Sequence, residues 1–219
     1  MKNKLVIISI IVLLMVFTSL STYAITKGKV EEKTKMINQK ENIVLLGDSI
    51  FDWYPTEKIY SDLPIVNSGF AGNTTKDILN DMENRIYKYN PTKVFINIGT
   101  NDIEYDDSSK VNEQVYQNIV SIVEQIKQHR NKCKVYIVSI LPVNNNMPGA
   151  NGRHNSEIKE INQKLNAYAA TNDVVYIDAY NELLSSDGMF DGEYTSDGLH
   201  PNNLGYAKLT EILMKYIYE

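Results

Sequence analysis

The sequence predicts an α/β fold in which helices cover both faces of a five-stranded parallel sheet. Five short runs are rich in valine and isoleucine, as expected for strands that are buried on both faces. They are residues 43–46, 65–66, 94–98, 135–141 and 174–177. Amphipathic stretches separate these runs, and this alternation favours a parallel sheet within a three-layer α/β/α sandwich.

Apolar residues at helical spacing identify four helices between and after the strands. The first helix follows Thr74 and Asp77, which have the spacing of a capping box. The four apolar stripes are Ile78, Leu79, Met82, Ile86 and Tyr89; Val111, Val115, Ile119, Ile122 and Ile126; Ile158, Ile161, Leu165 and Tyr168; and Leu209, Ile212, Leu213, Tyr216 and Ile217. No internal repeat or second domain is evident, so residues 42–219 are predicted to form one domain.

The first 24 residues have the pattern of a secretory signal peptide. Lys2 and Lys4 precede an uncharged apolar run at residues 5–17, which small and polar residues follow. Residues 5–25 are also uncharged, and about 20 such residues suffice to cross a bilayer, so the alternative is an N-terminal membrane anchor. Either outcome predicts an extracytoplasmic protein, because the two lysines favour a cytoplasmic N-terminus.

Charge and cysteine content narrow the classes of partner and cofactor. The 22 basic and 27 acidic residues give a formal net charge of −5, which argues against nucleic acid, because phosphate binding requires clustered lysine and arginine. Residues 25–41 are charged and lack an apolar stripe, so they are predicted to be a polar linker.

The single cysteine, Cys133, excludes an internal disulfide and is predicted to be a small buried residue. The acidic residues from Asp187 to Asp197 lack the spacing of a calcium loop, and no metal or organic cofactor is expected.

Four short motifs stand at strand ends or at a helix start. Gly47-Asp48-Ser49 follows the first strand, Gly72-Asn73 the second and residues 99–102 the third, while residues 197–201 precede the last helix. Ligands of open parallel sheets bind beyond the carboxyl ends of the strands. The four motifs are therefore predicted to meet at one rim of the sheet.

These motifs resemble the four sequence blocks of the SGNH or GDSL hydrolases. The blocks read IVLLGDSI, NSGFAGNTT, INIGTND and SDGLHPNNLGY, in the order of that family, and the resemblance covers about residues 42–218. Ile50 replaces the leucine of the GDSL name. The resemblance implies a flavodoxin-like sandwich with strand order 2-1-3-4-5 and the activity of a serine esterase, nearest to the compact acetylhydrolase and carbohydrate esterase branch.

The resemblance also implies a role for each block. Ser49 would be the nucleophile, with His200 and Asp197 completing a triad. A serine hydroxyl needs an adjacent base, and the carboxylate holds the imidazole in the required tautomer. The N–H groups of Ser49 and Gly72 and the side-chain amide of Asn101 would form the oxyanion hole. A glycine suits position 72, because a close backbone approach and a positive φ exclude most side chains.

Other residues near the blocks are candidates for substrate binding, each with a structural alternative. Asp48 either contacts substrate or holds its turn through backbone hydrogen bonds. Trp53 either lines an acyl or sugar pocket or packs at the rim. Asn144 and His154 lie in a long loop, residues 142–155, on the expected active-site side, where surface-loop roles are the alternative.

The expected reaction is hydrolysis of short-chain esters through an acyl-enzyme. The resemblance and the extracytoplasmic location favour O-acetyl groups on cell-wall or environmental carbohydrate. A lysophospholipid or another lipid ester is the alternative within the enzyme class. A non-catalytic surface module that binds glycans is the alternative from another class. The expected partner is a small-molecule or polysaccharide ester substrate, with membrane contact only through the N-terminal segment.

Overall fold

A computed structural model describes Lys27 and residues 42–59, 62–103 and 109–219. Contacts divide the chain into two compact units, one of residues 41–217 and 219 and the other of residues 1–40 and 218. The second unit is described only at Lys27, which is helical, and at Tyr218. The predicted signal peptide or anchor therefore lies outside the described residues, as does nearly all of the predicted linker. No helix within the described part of the chain is long and apolar enough to cross a membrane.

The first unit contains a five-stranded sheet in which all neighbouring strands are parallel. The strands are β1 (Ile43–Gly47), β2 (Ile65–Gly69), β3 (Lys93–Asn97), β4 (Lys134–Val138) and β5 (Val175–Ile177). Their order is β2-β1-β3-β4-β5, which confirms the predicted order and the α/β fold class.

Two strands differ in length from the predicted runs. β4 ends at Val138 although the apolar run continues to residue 141, because the Asn162 side chain bonds both the N–H and the carbonyl of Ile140, each at 2.9 Å. β2 is longer than predicted because it includes polar residues. Ser68, for example, is buried within it and donates a hydrogen bond to the Arg85 carbonyl.

Eight α-helices occur within the described residues of this unit. They are α1 (Ser49–Asp52), α2 (Thr56–Ile59), α3 (Thr75–Asn80), α4 (Met82–Arg85), α5 (Ser109–His129), α6 (Asn155–Ala169), α7 (Ala179–Glu182) and α8 (Asn203–Ile217). Two single 3₁₀ turns, Tyr87–Tyr89 and Pro148–Ala150, lie between them.

The helices pack on both faces of the sheet, as a three-layer sandwich requires. One face buries the apolar stripes of α3, α4, α5 and α6 against alternate strand residues, namely Val44, Leu46, Val94, Ile96, Val135 and Ile137. On the other face, Phe95 stacks on Tyr136 at a centroid distance of 4.4 Å, and the Tyr136 ring meets Tyr216 of α8 edge-on. Lys93 also reaches α8, where its Nζ donates to the Ile217 carbonyl.

The first predicted helix is broken, although its capping box is present. Thr74 and Asp77 form the reciprocal cap, which confirms that part of the prediction. The prediction of one continuous stripe to Tyr89 was wrong, because Asp81 adopts φ −139° and ψ 39° and separates α3 from α4. Asp81 accepts a hydrogen bond from the Asn84 side chain, and such local polar contacts compete with a continuous helix.

Candidate active site

Ser49 occupies the turn that joins β1 to α1. Asp48 caps the helix, because its carboxylate accepts a hydrogen bond from the Ile50 N–H at 2.9 Å. Ser49 is the first helical residue, so its N–H has no acceptor within the helix and points toward the helix N-terminus. The residue is 5% exposed. The sequence thus places a nearly buried hydroxyl and an adjacent N–H at the carboxyl end of a central strand.

His200 and Asp197 approach this hydroxyl from the loop before α8. The distance from Ser49 Oγ to His200 Nε2 is 3.0 Å, and the distance from His200 Nδ1 to Asp197 Oδ2 is 2.7 Å. Both lie within hydrogen-bond range. The three side chains that the family resemblance selects therefore form a chain of two hydrogen bonds, although Ser49 and His200 are separated by 151 positions in the sequence.

The Asp197 carboxylate is held by backbone as well as by His200. Its Oδ1 accepts hydrogen bonds from the N–H groups of Leu199 and His200, each at 2.8 Å. Burial opposes ionisation of this carboxyl, but the hydrogen bonds from the His200 side chain and the two N–H groups outweigh burial and lower its pKa. Asp197 is therefore an anion at neutral pH and can stabilise a charge on the imidazole of His200.

Gly72 and Asn101 lie on neighbouring loops that contact each other. The loop with Gly72 is tied to α1, because the Ala71 N–H donates to Asp52 Oδ2 at 3.1 Å. Asn101 follows β3, and its Nδ2 donates to the Asn73 carbonyl at 2.9 Å. Within the described residues, no acceptor contacts the Gly72 N–H. The loops that carry all three candidate oxyanion donors are thus joined by hydrogen bonds.

Gly72 has the expected backbone conformation, with a φ of +83°. The expected obstruction by neighbours is not found, because a Cβ at this position would meet no protein atom within 4 Å. The requirement for glycine therefore comes from the left-handed backbone and not from packing.

Replacing Gly72 with alanine is expected to lower both stability and activity. Left-handed φ costs a residue with a Cβ on the order of 1 kcal/mol, and relaxation of the strain would displace the N–H at position 72. Gly188→Ala is the matched control, since Gly188 has φ +78° and equal space around a Cβ. Thermal unfolding should show similar losses for the two variants, and kcat should fall only for Gly72→Ala. An equal kcat in the two variants would contradict the assignment of Gly72 to the oxyanion hole.

Two candidate substrate contacts are buried and have structural roles, and the structure gives no support for a contact with substrate. Asp48 is 1% exposed, and its carboxylate faces the Ile50 N–H; burial raises its pKa to about 7, with a smaller contribution from Asp102. Asn144 is buried and closes a loop, because its Nδ2 donates to the Phe190 carbonyl and its Oδ1 accepts from the Asn146 N–H. Both side chains are therefore occupied by contacts within the protein.

The other two candidates are exposed, and only one adjoins the triad. The Trp53 ring lies over the His200 ring at a centroid distance of 4.3 Å, and 53% of the residue is exposed. His154 is exposed just before α6, where its carbonyl accepts the Ile158 N–H. Within the described residues, no hydrogen bond joins His154 to the triad. Trp53 therefore remains a candidate substrate contact, and the position of His154 gives no support for such a role.

Sequence reasoning missed Arg153, which contacts Asn101 from the loop after β4. Its side chain is 1% exposed, and its Nη2 donates to Asn101 Oδ1 at 3.1 Å. An arginine inside a loop gives no periodic signal, so no pattern in the sequence predicts its burial.

Cys133, in contrast, is buried as predicted, and burial raises its pKa to about 11, which is unsuited to a nucleophile.

The parallel α/β/α sandwich brings Ser49, His200 and Asp197 into hydrogen-bond contact at the carboxyl end of the sheet, which makes this region a candidate hydrolytic site. The model of the GDSL-like Lipase/Acylhydrolase family matches residues 45–208, and the chain belongs to this family. A multidomain esterase of Ruminococcus flavefaciens is 27% identical over 166 residues, which cover 72% of this chain and 20% of the esterase.

Two further proteins are similar to this chain. An N-acylneuraminate cytidylyltransferase of Escherichia coli is 30% identical over 183 residues, 83% of this chain and 42% of that protein. The chain spans less than half the length of the curated relatives it matches. A solved structure of a candidate platelet activating factor from Streptococcus pneumoniae has 28% identity and a TM-score of 0.75, and the match covers 93% of this chain and 99% of that one.

Proposed function

We propose that this protein hydrolyses short-chain carboxylic esters through a covalent acyl-enzyme formed on Ser49. The observation that carries this proposal is the hydrogen-bonded line from Asp197 through His200 to Ser49, with distances of 2.7 and 3.0 Å. An exposed serine without a base would be a weak nucleophile. Here the base is in contact with the hydroxyl, and the carboxylate is in contact with the base.

The reaction divides into two halves. In the first half, His200 Nε2 takes the proton of the Ser49 hydroxyl as Oγ bonds to the ester carbonyl carbon, and the same proton then passes to the leaving alkoxide. In the second half, His200 takes a proton from water, the hydroxide attacks the acyl-enzyme, and the proton returns to Ser49. Asp197 stabilises the imidazolium that forms in both halves.

Negative charge develops on the carbonyl oxygen in each tetrahedral intermediate. The Ser49 and Gly72 N–H groups and the Asn101 side-chain amide are the proposed donors to this oxygen. Losing one such donor typically costs about 3 kcal/mol of transition-state stabilisation. These donors are held by backbone geometry and hydrogen bonds, so they need little rearrangement when the charge appears.

We propose O-acetyl groups on carbohydrate as the substrate class. The exposed face of Trp53 beside His200 suits the apolar face of a sugar ring. Among the relatives, one is an esterase and one is named for an acylated sugar acid.

Initial rates on a graded series of esters test this proposal. The series comprises p-nitrophenyl acetate, butyrate, octanoate and palmitate, with acetate release from acetylated xylan, acetylated wall polymer and O-acetylated N-acylneuraminate. We expect kcat/KM to be highest for acetyl and to fall steeply by octanoyl. A preference for long acyl chains or for a lysophospholipid would contradict the carbohydrate substrate and support a lipid ester. Glycan binding without hydrolysis of any ester would support the non-catalytic surface module.

The extracytoplasmic location is also a proposal, and it rests on the residue pattern of positions 1–24 alone. Mass spectrometry of the N-terminus in membrane and medium fractions tests it. A mature protein that starts near residue 25 in the medium supports cleavage, and an intact N-terminus in the membrane fraction supports an anchor. Recovery in the cytoplasm alone would contradict both outcomes.

A further inference from the structure

Arg153 makes a set of directed hydrogen bonds beneath the candidate oxyanion hole. Its Nε donates to the Thr100 carbonyl at 2.8 Å, its Nη1 to the Ala150 carbonyl at 3.3 Å and its Nη2 to Asn101 Oδ1 at 3.1 Å. With 1% exposure it is among the largest fully buried side chains of the described residues. Burying a guanidinium is costly unless its donors are satisfied. The contacts hold Thr100 and Asn101 in place relative to the 142–155 loop.

The contact with Asn101 decides which end of the side-chain amide faces the substrate. An amide has an oxygen that only accepts and a nitrogen that donates twice. Arg153 can only donate, so it pairs with Oδ1, while the Asn73 carbonyl can only accept, so it pairs with Nδ2. The second hydrogen of Nδ2 remains for the substrate. If the amide turned over, Oδ1 would face the developing oxyanion and repel it.

A donor on Oδ1 also makes the amide a better donor. Hydrogen bonds in a chain polarise one another, and this effect is larger at a buried site. The guanidinium is charged, and charge-assisted hydrogen bonds are stronger than neutral ones. Arg153 therefore orients the Nδ2 hydrogen and increases its partial charge at the same time.

The same loop supports the turn that carries Asp197 of the triad. The Gly149 N–H donates to the Asp197 carbonyl at 2.7 Å, and the Asn144 N–H donates to the Gly198 carbonyl at 2.8 Å. A Cβ on Gly149 would lie 2.7 Å from the Asp197 carbonyl oxygen, so the two backbones are in direct contact. One loop thus contacts both the turn that carries Asp197 and the side chain of Asn101.

We propose that Arg153 is a positioning residue that holds the Asn101 amide with its N–H directed at the substrate carbonyl oxygen. This inference deepens the proposed function and rests on it, because the proposed role of Arg153 in catalysis is exerted through Asn101, while its contacts with the Thr100 and Ala150 carbonyls hold the guanidinium in place. If Arg153 were purely structural, its replacement would lower the amount of folded protein, and the effect would not depend on the Asn101 side chain. The two roles are therefore separable by kinetics in backgrounds with and without the Asn101 side chain.

The test is a double-mutant cycle on the full chain, with p-nitrophenyl acetate as substrate. Arg153→Met removes the donors and Arg153→Lys keeps the charge without the planar fork; each is made in wild type and in Asn101→Ala. Asn145→Ala is the control for loop damage, since Asn145 Nδ2 donates to the Arg153 carbonyl at 2.7 Å and belongs to the same loop. Thermal unfolding and active-site titration with a serine-reactive phosphonate correct each rate for folded protein.

We expect Asn101→Ala to lower kcat about 10²–10³-fold and Arg153→Met to lower it about 10- to 100-fold, each with little change in KM. In the Asn101→Ala background, either change at Arg153 should have less than about a twofold further effect, because residues that act as a unit are not additive. Asn145→Ala should leave kcat unchanged. If Arg153→Met does not fold, Arg153→Lys provides the same comparison.

Four outcomes would overturn the inference. Effects that multiply in the double variants would show that Arg153 acts independently of Asn101. An equal loss in Asn145→Ala would reduce the role of Arg153 to loop stability. Loss of activity in Asn101→Ala without loss in either Arg153 variant would reject this inference and leave the proposed function intact, whereas full activity in Asn101→Ala would reject the oxyanion assignment itself.

Discussion

Ser49→Ala is expected to reduce kcat for ester hydrolysis by up to about 10⁶-fold, the size of effect seen when a serine hydrolase loses its nucleophile. The hydroxyl lies 3.0 Å from His200 Nε2 and forms the bond to the acyl group in the proposed mechanism. Alanine removes that atom and leaves the oxyanion donors in place, so a small residual rate over water should persist. Initial rates with p-nitrophenyl acetate, normalised to folded protein, measure the loss.

Ser68→Ala is the matched control for this substitution. Ser68 is 6% exposed and Ser49 is 5% exposed, so the two variants remove an oxygen from comparable surroundings. Ser68 lies in β2, where it donates to the Arg85 carbonyl, and it has no hydrogen bond with His200. Its variant should lose some stability and retain kcat. Mass spectrometry after a fluorophosphonate probe should place the label on Ser49 in wild type and find none in Ser49→Ala. Label on another serine would contradict the nucleophile assignment.

Asp197→Asn is expected to lower kcat about 10⁴-fold with little change in KM. Asparagine has nearly the same shape, but its amide nitrogen can donate to His200 Nδ1, which would place the ring hydrogen on Nε2 and leave no base for Ser49. The variant also has no charge to stabilise the imidazolium. The same assay measures this loss, and combining the substitution with Ser49→Ala should add little, since the triad acts as a unit. A variant with kcat within tenfold of wild type would contradict the role of Asp197.

The pKa of Asp197 gives a second observable for this variant. Because its pKa is lower in the folded state than in the unfolded state, ionisation of Asp197 stabilises the fold above the unfolded pKa. That stabilisation is lost as pH falls through the folded pKa. The difference in unfolding free energy between wild type and Asp197→Asn should therefore shrink as pH falls below about 4. Denaturant unfolding at pH 7, 5 and 3 measures it.

Asp187→Asn is the control for both measurements on Asp197. The pKa of Asp187 is also lowered, chiefly by a hydrogen bond from the Ser185 hydroxyl and also by one from the Met189 N–H. Its variant should therefore show an acid dependence of stability with the same sign. Asp187 has no contact with His200 in the structure, so kcat should be unchanged. Loss of kcat in both variants would indicate damage to the segment and not to the triad.

Several features of the fold follow from local chemistry and could be predicted. Residues 43–46 and 94–98 are apolar runs short enough to be strands, and the helical stripes between them leave only a parallel sheet. The capping box at Thr74 is likewise local, since its members are three residues apart. The break at Asp81 could not be predicted, because it depends on a backbone conformation that the apolar stripe does not require.

In the candidate site, too, local features could be predicted from the sequence and features that depend on distant contacts could not. The blocks around Ser49, Gly72, Asn101 and His200 are recognisable because each is a short motif at a strand end or before a helix. The role of Asp48 could not be decided from the sequence, because a carboxylate beside the nucleophile has the same sequence context whether it faces solvent or caps a helix. Burial separates the two readings, and burial depends on elements far away in the chain.

The sequence by itself determined the strands, the order of the motifs and the residue types that ester hydrolysis needs, because these depend on short-range periodicity and on side-chain chemistry. Only the tertiary structure decided that Ser49 and His200, 151 positions apart, are in hydrogen-bond contact, and that Arg153 reaches Asn101 across 52 positions. Such contacts depend on how loops pack after the sheet has formed, and loop packing has no period in the sequence from which it could be predicted.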